Sequence, residues 1–223
     1  MVERKRKTRA RAPEKKRKQF DEILEVGRNL FVEYGSHGFS LRELASKLNM
    51  SKSNLYNYII SKRELWYAIR TRYFSEYEKG FAEILKNHDG NNVELGVKWA
   101  QYFLEFAAED KKRFEIMFFI RAPSSNKIGP YEEKYRPLDV IKKGINIVLK
   151  AVEEGKNKEK NPIALYYYMY ATCLGAAKFE ADLNLTYKIT KSSNNDKYLL
   201  TSEEFRKFFL KEFRNRLEKA YII

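Results

Sequence analysis

A chain of 223 residues has room for one large helical domain or a small domain joined to a larger one. Its formal net charge of +14 points toward a polyanionic partner, and its one cysteine, Cys173, excludes an internal disulfide. Apolar runs such as Ile116–Ile120 are far too short to span a bilayer and no signal peptide is evident, so a cytoplasmic protein without a membrane partner is expected.

The charge is unevenly placed. Residues 1–18 carry ten basic side chains against Glu3 and Glu14 and have almost no apolar content, which predicts a disordered basic arm. Such an arm can track phosphates or add non-specific affinity for a duplex. It lacks the aromatic and leucine face of an interfacial membrane helix.

Phe20, Ile23, Leu24, Gly27, Leu30, Phe31 and Tyr34 follow the three-four spacing of an amphipathic helix. Leu41, Leu44, Ala45 and Leu48 then predict a short helix capped by Ser40, which runs into a turn at Asn49–Met50. Ser51 opens a second short helix expected to end near Ile60, with Leu55 and Ile59 turned back onto the first. Its outward side carries Ser53, Asn54, Tyr56, Asn57 and Tyr58, with Lys52 in the opening turn. Two helices joined by a tight turn, the second rich in polar donors, suit insertion into a DNA major groove.

By position, Ser40 and Ser51 cap helices whose amide ends can face phosphates. Arg42, Lys52, Ser53, Asn54 and Asn57 are the candidates for base edges, since Arg pairs with guanine and Asn with adenine. The plainer reading of Ser40 and Ser51 is capping alone, and the two roles are compatible.

A further helix is predicted from Lys62 toward Lys86, and helical periodicity continues through Val93–Ala108 and Lys111–Ile120. Arg121–Pro137, with three prolines and Gly129, reads as a loop or as partly helical. Leu138–Glu154, Pro162–Leu185 and Ser202–Ala220 read as three more helices, with Thr190–Asp196 a polar connector. No alternating strand pattern of useful length appears, so the expected fold class is all-α. Cys173 falls in a small-residue helix and reads as core packing.

A catalytic reading is poor. His37 and His88 fall in loop or turn contexts, and neither Cys/His metal spacing nor a phosphate-cradling glycine loop occurs, so no enzyme, cofactor or metal is expected.

The segment Ile23–Leu65 resembles the DNA-binding domain of the TetR family of transcriptional regulators. Phe31, Gly35, Ser40, Leu44–Ala45, Leu55–Tyr56 and Ser61–Lys62 stand at the spacings of that family's pattern, a composite covering about a fifth of the chain. Ile59 replaces the usual Phe, Ile60 stands where a polar residue or proline is common, and Asn57 replaces an aromatic or His. The first two alter packing without removing a DNA donor, and the third leaves the base-pair preference open.

The resemblance implies an N-terminal helix-turn-helix domain at 19–65, after the arm at 1–18, and a helical ligand-binding and dimerisation domain at 66–223. It implies that Tyr56 and Tyr58 meet phosphates and that Lys62 contacts the DNA backbone. It places the last two long helices in a four-helix dimer interface, for which Tyr168, Gly175, Ala176, Phe179, Phe205, Phe209 and Phe213 are the candidates. It also implies a pocket for a small apolar effector among the middle helices. Trp99, Tyr102, Phe103, Phe106, Phe114, Met117 and Phe118 are the candidate lining, although such a stripe commonly forms only core.

The expectation is therefore a homodimeric regulator of double-stranded DNA, a ligand-responsive repressor on a palindromic operator. The alternative is an architectural DNA-binder without an effector, for which the basic arm and general phosphate contacts would suffice.

Overall fold

The structure is a computed structural model that describes residues 11–136, 138–190 and 200–222. Among these, ten helices account for the regular structure: α1 Arg11–Tyr34, α2 Leu41–Lys47, α3 Lys52–Tyr56, α4 Lys62–Lys86, α5 Asn92–Glu109, α6 Lys111–Phe118, α7 Pro130–Lys134, α8 Leu138–Glu153, α9 Pro162–Thr190 and α10 Ser202–Ala220. The chain is all-α, with one isolated antiparallel bridge between Asn157 and Tyr221. No described helix is long and apolar enough to cross a membrane.

Local sequence explains the boundaries. Ser40, Ser51, Asn91 and Thr201 each accept a hydrogen bond from the backbone amide three residues on, satisfying one orphan donor of α2, α3, α5 and α10. Thr201 and Glu204 complete a reciprocal capping box. At the far end of α8, Gly155 takes a left-handed φ of 68° while Lys156 N–H reaches the Ala151 carbonyl at 2.8 Å, a Schellman closure.

Two boundaries differ from those expected. Residues 11–18 of the basic arm are helical and form the opening turns of α1, whereas residues 1–10 lie outside the described residues. Pro13 sits in the first turn, where its missing N–H costs nothing, and no breaker separates it from the apolar-periodic stretch that follows. The recognition helix α3 stops at Tyr56 rather than near Ile60. Ser61 accepts from Glu64 N–H at 3.0 Å to cap α4, and this requires non-helical backbone just before it. Most of the polar connector expected at Thr190–Asp196 lies outside the described residues, and Thr190 itself closes α9.

The described residues cluster in two units, and α4 contributes to both. The first comprises residues through Ser75 together with Lys112–Tyr135, so residues 66–75 and 112–135, expected with the larger domain, belong with the helix-turn-helix. Its core joins Ile23, Leu30 and Phe31 of α1, Leu44 of α2, Leu55 of α3 and Leu65 and Ile69 of α4, all but fully buried. Gly27 lets α1 and α4 approach closely, for a Cβ there would stand 2.8 Å from Leu65 Cδ2.

The second unit comprises Glu76–Lys111 and the described residues from Arg136 onward. Within it α5 packs on α9 and α10, and α9 packs on α8 and α10. Phe103, Leu104, Met169, Cys173 and Leu217 are buried there. The C-terminal end is tied down by Lys158 N–H to the Ala220 carbonyl at 2.9 Å and Ile222 N–H to the Lys156 carbonyl at 2.8 Å.

Candidate nucleic-acid interface

The helix-turn-helix geometry rests on Asn49, whose φ of 52° is left-handed. Met50 N–H reaches the Ala45 carbonyl and Asn49 N–H the Ser46 carbonyl, both at 3.0 Å, so the chain turns sharply out of α2. Ser51 then caps α3, accepting from Asn54 N–H at 3.1 Å. Leu55 and Ile59 are fully buried, which fixes the opposite side of α3 toward solvent.

That outer side collects most of the expected donors. Ser40, Arg42, Ser51, Lys52, Ser53, Tyr56 and Asn57 are exposed, and Asn54 is half-buried. Lys52 Nζ lies 5.6 Å from the centre of the Tyr56 ring, a cation–π contact that holds both at the tip of the recognition helix. Ser40 and Ser51 use a lone pair for capping and keep the hydroxyl proton to donate.

Tyr58 and Lys62 are more committed to the fold. The Tyr58 hydroxyl donates to Gln19 Oε1 at 2.6 Å, and its ring stacks on Phe20 at 6.3 Å with an 11° interplanar angle. Lys62 Nζ donates to the Phe39 carbonyl at 2.8 Å and lies 4.7 Å from the centre of the Phe39 ring. Burial lowers the pKa of the Lys62 ammonium from its ordinary value.

Helix α1 adds groups to this surface. Lys16 Nζ lies 5.8 Å from the centre of the Tyr58 ring, and Lys15, Lys16, Arg17 and Lys18 are all exposed. The opening turns of α1 therefore bring Lys16 to the end of the recognition region, within an exposed run of cations. Gln19 carries no sequence signal and Lys16 reads only as part of the basic arm, because the value of each depends on a partner some forty positions away.

The other candidate residues divide between the units. Trp99, Tyr102, Phe103 and Phe106 belong to the second, where Tyr77 has ring centres at 5.2 Å from both Tyr102 and Phe106 and at 6.0 Å from Phe103. Phe114, Met117 and Phe118 belong to the first, Phe114 and Met117 being buried and Phe118 meeting Phe74 of α4 at 5.8 Å.

Of the candidates on α9 and α10, Tyr168 is 56% exposed and Phe179 49%, while Gly175 is exposed with no side-chain or backbone atom near its open face. Spacings of seven and four put these three on one stripe of α9. Phe205 and Phe209 are half-buried, and Ala176 and Phe213 are buried within the chain's own core. Phe208, outside that candidate set, is 63% exposed. Among the described residues, no group of three or more His, Cys, Asp or Glu side chains could hold a metal ion.

Comparison with known proteins agrees with this geometry. Residues 23–69 match the family model described as bacterial regulatory proteins of the tetR family. The chain is 26% identical over 97 residues to the HTH-type transcriptional activator FasR of Mycolicibacterium smegmatis, a match spanning 44% of each protein and so less than half of that activator. It is 24% identical over 179 residues to the HTH-type transcriptional repressor NemR of Escherichia coli K12, covering 77% of this chain and 85% of the repressor. Among solved structures, AibR in complex with isovaleryl coenzyme A and operator DNA superposes with a TM-score of 0.60 at 18% identity, over 87% of this chain and 97% of that one.

Proposed function

The chain belongs to the TetR family of transcriptional regulators, and on that premise we propose that it is a ligand-responsive repressor acting as a homodimer on a palindromic operator. The observation that carries the DNA part is the capped, short α3 presenting Lys52, Ser53, Tyr56 and Asn57 outward while Leu55 is sealed in the core. A helix of this kind lies in the major groove, where its side chains reach base edges and phosphates. Arg42 and Asn54 are further candidates for base edges, and Ser40, Ser51, Tyr58 and Lys62 are supporting contacts to the phosphates.

The apolar stripe at Tyr168, Gly175 and Phe179 supports self-association. Burying it against a second copy would give a two-fold assembly, and such symmetry suits a palindromic operator whose half-sites lie about 34–36 Å apart, one helical turn of DNA. Repression follows the name of the repressor relative, and a ligand response is supported by the neighbour that binds isovaleryl coenzyme A and operator DNA; for this chain the aromatic residues of α5 favour a small apolar effector. An effector acts as a switch only if it binds the DNA-free conformation more tightly than the DNA-bound one.

Selection of bound fragments from the source genome tests the reading, followed by titration of the recovered duplex with acyl thioesters, fatty acids and polyaromatic compounds. The expected results are an enriched palindrome, a dimer by sedimentation, and a compound that raises thermal stability while lowering operator affinity. The exposed cations of α1 also suit an architectural DNA-binder without an effector. A specificity ratio near one between the recovered site and random duplex would select that alternative and overturn the repressor reading.

A further inference from the structure

Between α6 and α8 the chain returns to the helix-turn-helix and fastens to it from several directions. The Trp66 indole donates to the Ile120 carbonyl at 3.1 Å, and Ser36 Oγ donates to the Arg121 carbonyl. Gly129 is buried so close to the Glu64 carboxylate that a Cβ there would overlap it. Arg63 Nε donates to Glu132 Oε1 at 2.8 Å, and this bond raises the pKa of the guanidinium further. Tyr135 meets Tyr67 of α4 at 4.9 Å. All of these groups lie in the first unit.

One contact in this set leads to the recognition region. The Tyr131 ring stacks on Phe20 of α1 at 5.4 Å with an angle of 19°. Phe20 in turn stacks on Tyr58 at 6.3 Å and 11°, and the Tyr58 hydroxyl is held by Gln19, the residue next to Phe20. Three rings therefore lie in one near-parallel column, with α7 at one end and the last turn of the recognition region at the other. Glu64 fixes the same turn from beneath, its Oε2 accepting from Ile60 N–H at 2.6 Å while Gly129 closes over the carboxylate.

We infer that residues 120–135 form a strap that sets the pose of Tyr58, and that Tyr131 is its positioning residue for operator binding. Tyr131 is half-buried on α7, against Phe20 and away from the recognition helix in sequence. It acts by fixing Phe20, which fixes the plane and depth of the Tyr58 ring and hence where its hydroxyl, on exchanging Gln19 Oε1 for a phosphate oxygen, donates to the duplex. Stacked aromatic pairs have a preferred offset geometry and resist sliding, so a column of three transmits position over a distance no single side chain spans. Gly129 and the Arg63–Glu132 pair anchor the strap on either side of Tyr131, which makes the column a rigid seat.

The inference rests on the reading of Tyr58 as a DNA contact, and a double-mutant cycle on the full chain separates the two. Operator affinity is measured for the unaltered protein, Tyr131→Leu, Tyr58→Ala and the double variant, with Tyr131→Phe and Tyr135→Leu beside them. If the strap acts through Tyr58, Tyr131→Leu weakens operator binding roughly tenfold, the loss expected for one misplaced hydrogen bond. The double variant then binds no more weakly than Tyr58→Ala alone, because nothing remains to position.

Tyr131→Phe keeps the stack and binds normally. Tyr135→Leu, which loosens one end of the strap but leaves the column itself intact, lowers thermal stability and weakens operator affinity clearly less than Tyr131→Leu does. Losses that add in the double variant, or a Tyr135→Leu effect on affinity equal to that of Tyr131→Leu, would overturn the inference alone. Failure of the unaltered protein to prefer any duplex would overturn the regulator reading and this inference with it.

Discussion

Lys62 Nζ donates to the main-chain carbonyl of Phe39 at 2.8 Å while lying 4.7 Å from the centre of the same residue's ring. One ammonium thus ties the start of α4 to the residue just before the α2 cap, and two of its three donors remain for a phosphate. Lys62→Ala is expected to lower stability by about 1 kcal/mol through the lost bond. It should also reduce the slope of log affinity against log salt by about one unit, uniformly across sequences. Thermal denaturation and salt titration read the two effects separately; an unchanged slope would make Lys62 a structural group only.

Asn57 and Tyr56 are adjacent and exposed, yet they should fail differently when altered. Tyr56 carries a hydroxyl suited to phosphate, so Tyr56→Phe is expected to weaken binding to every duplex by a similar factor. Asn57 can pair with an adenine edge, so Asn57→Ala should change which operator variant is preferred, by about 1–3 kcal/mol at one base pair. Titration against a set of single-base operator variants distinguishes them. Equal losses on all sites for Asn57→Ala would refute base reading.

Asn49 sits at φ 52°, where a Cβ is tolerated only at some cost. Asn49→Gly should leave stability unchanged or slightly higher, since glycine adopts that backbone freely. Asn49→Val should lose about 1–2 kcal/mol, because a branched Cβ clashes in the left-handed region. Chemical denaturation of the two variants decides it, and a Val variant as stable as the Gly variant would show that the turn adopts another conformation.

Much of this was legible in the sequence because it rests on local rules. Ser40 and Ser51 announce helix starts, Leu44, Leu55 and Ile59 announce a buried side, and the caps and the core obey. The ring column Tyr131–Phe20–Tyr58 is not legible, since Phe20 stacks on positions far along the chain on both sides of the column, with no spacing rule between them. The same holds for α6. Its aromatic run reads as a continuation of the α5 stripe, but Phe118 meets Phe74 and the Arg70 guanidinium bonds the Met117 carbonyl, which draws α6 into the first unit. Cys173 reads as core packing from its small neighbours; it is fully buried, and burial pushes its thiol pKa well up.

Glu180 on α9 is only 5% exposed, and its carboxylate is gripped by the Arg206 guanidinium of α10, with Nε at 3.1 Å from Oε2. Removing the cation leaves a buried charge without compensation. Arg206→Ala should cost about 3 kcal/mol, the low end for a buried pair because Arg206 is itself partly exposed. The double variant Glu180→Leu with Arg206→Met should recover most of that loss, since no charge is then stranded. Denaturant midpoints of the three proteins test this; a double variant less stable than Arg206→Ala would mean that the pair fixes the α9–α10 packing by itself.

Gly175 lies in the interior of α9, exposed, and a Cβ built there meets nothing within 4 Å. Within one subunit, glycine at that place is therefore a pure loss, since any ordinary side chain would favour the helix by up to about 1 kcal/mol. Its place on the stripe with Tyr168 and Phe179 gives it a use only if another helix must come close. Gly175→Leu is expected to leave helical content intact and raise the intrinsic stability of the subunit, while breaking the proposed dimer and with it cooperative operator binding. Sedimentation across a concentration series, with melting followed at each concentration, separates subunit stability from assembly. A Gly175→Leu variant that dimerises as tightly as the unaltered chain would place the close approach elsewhere on α9 or α10.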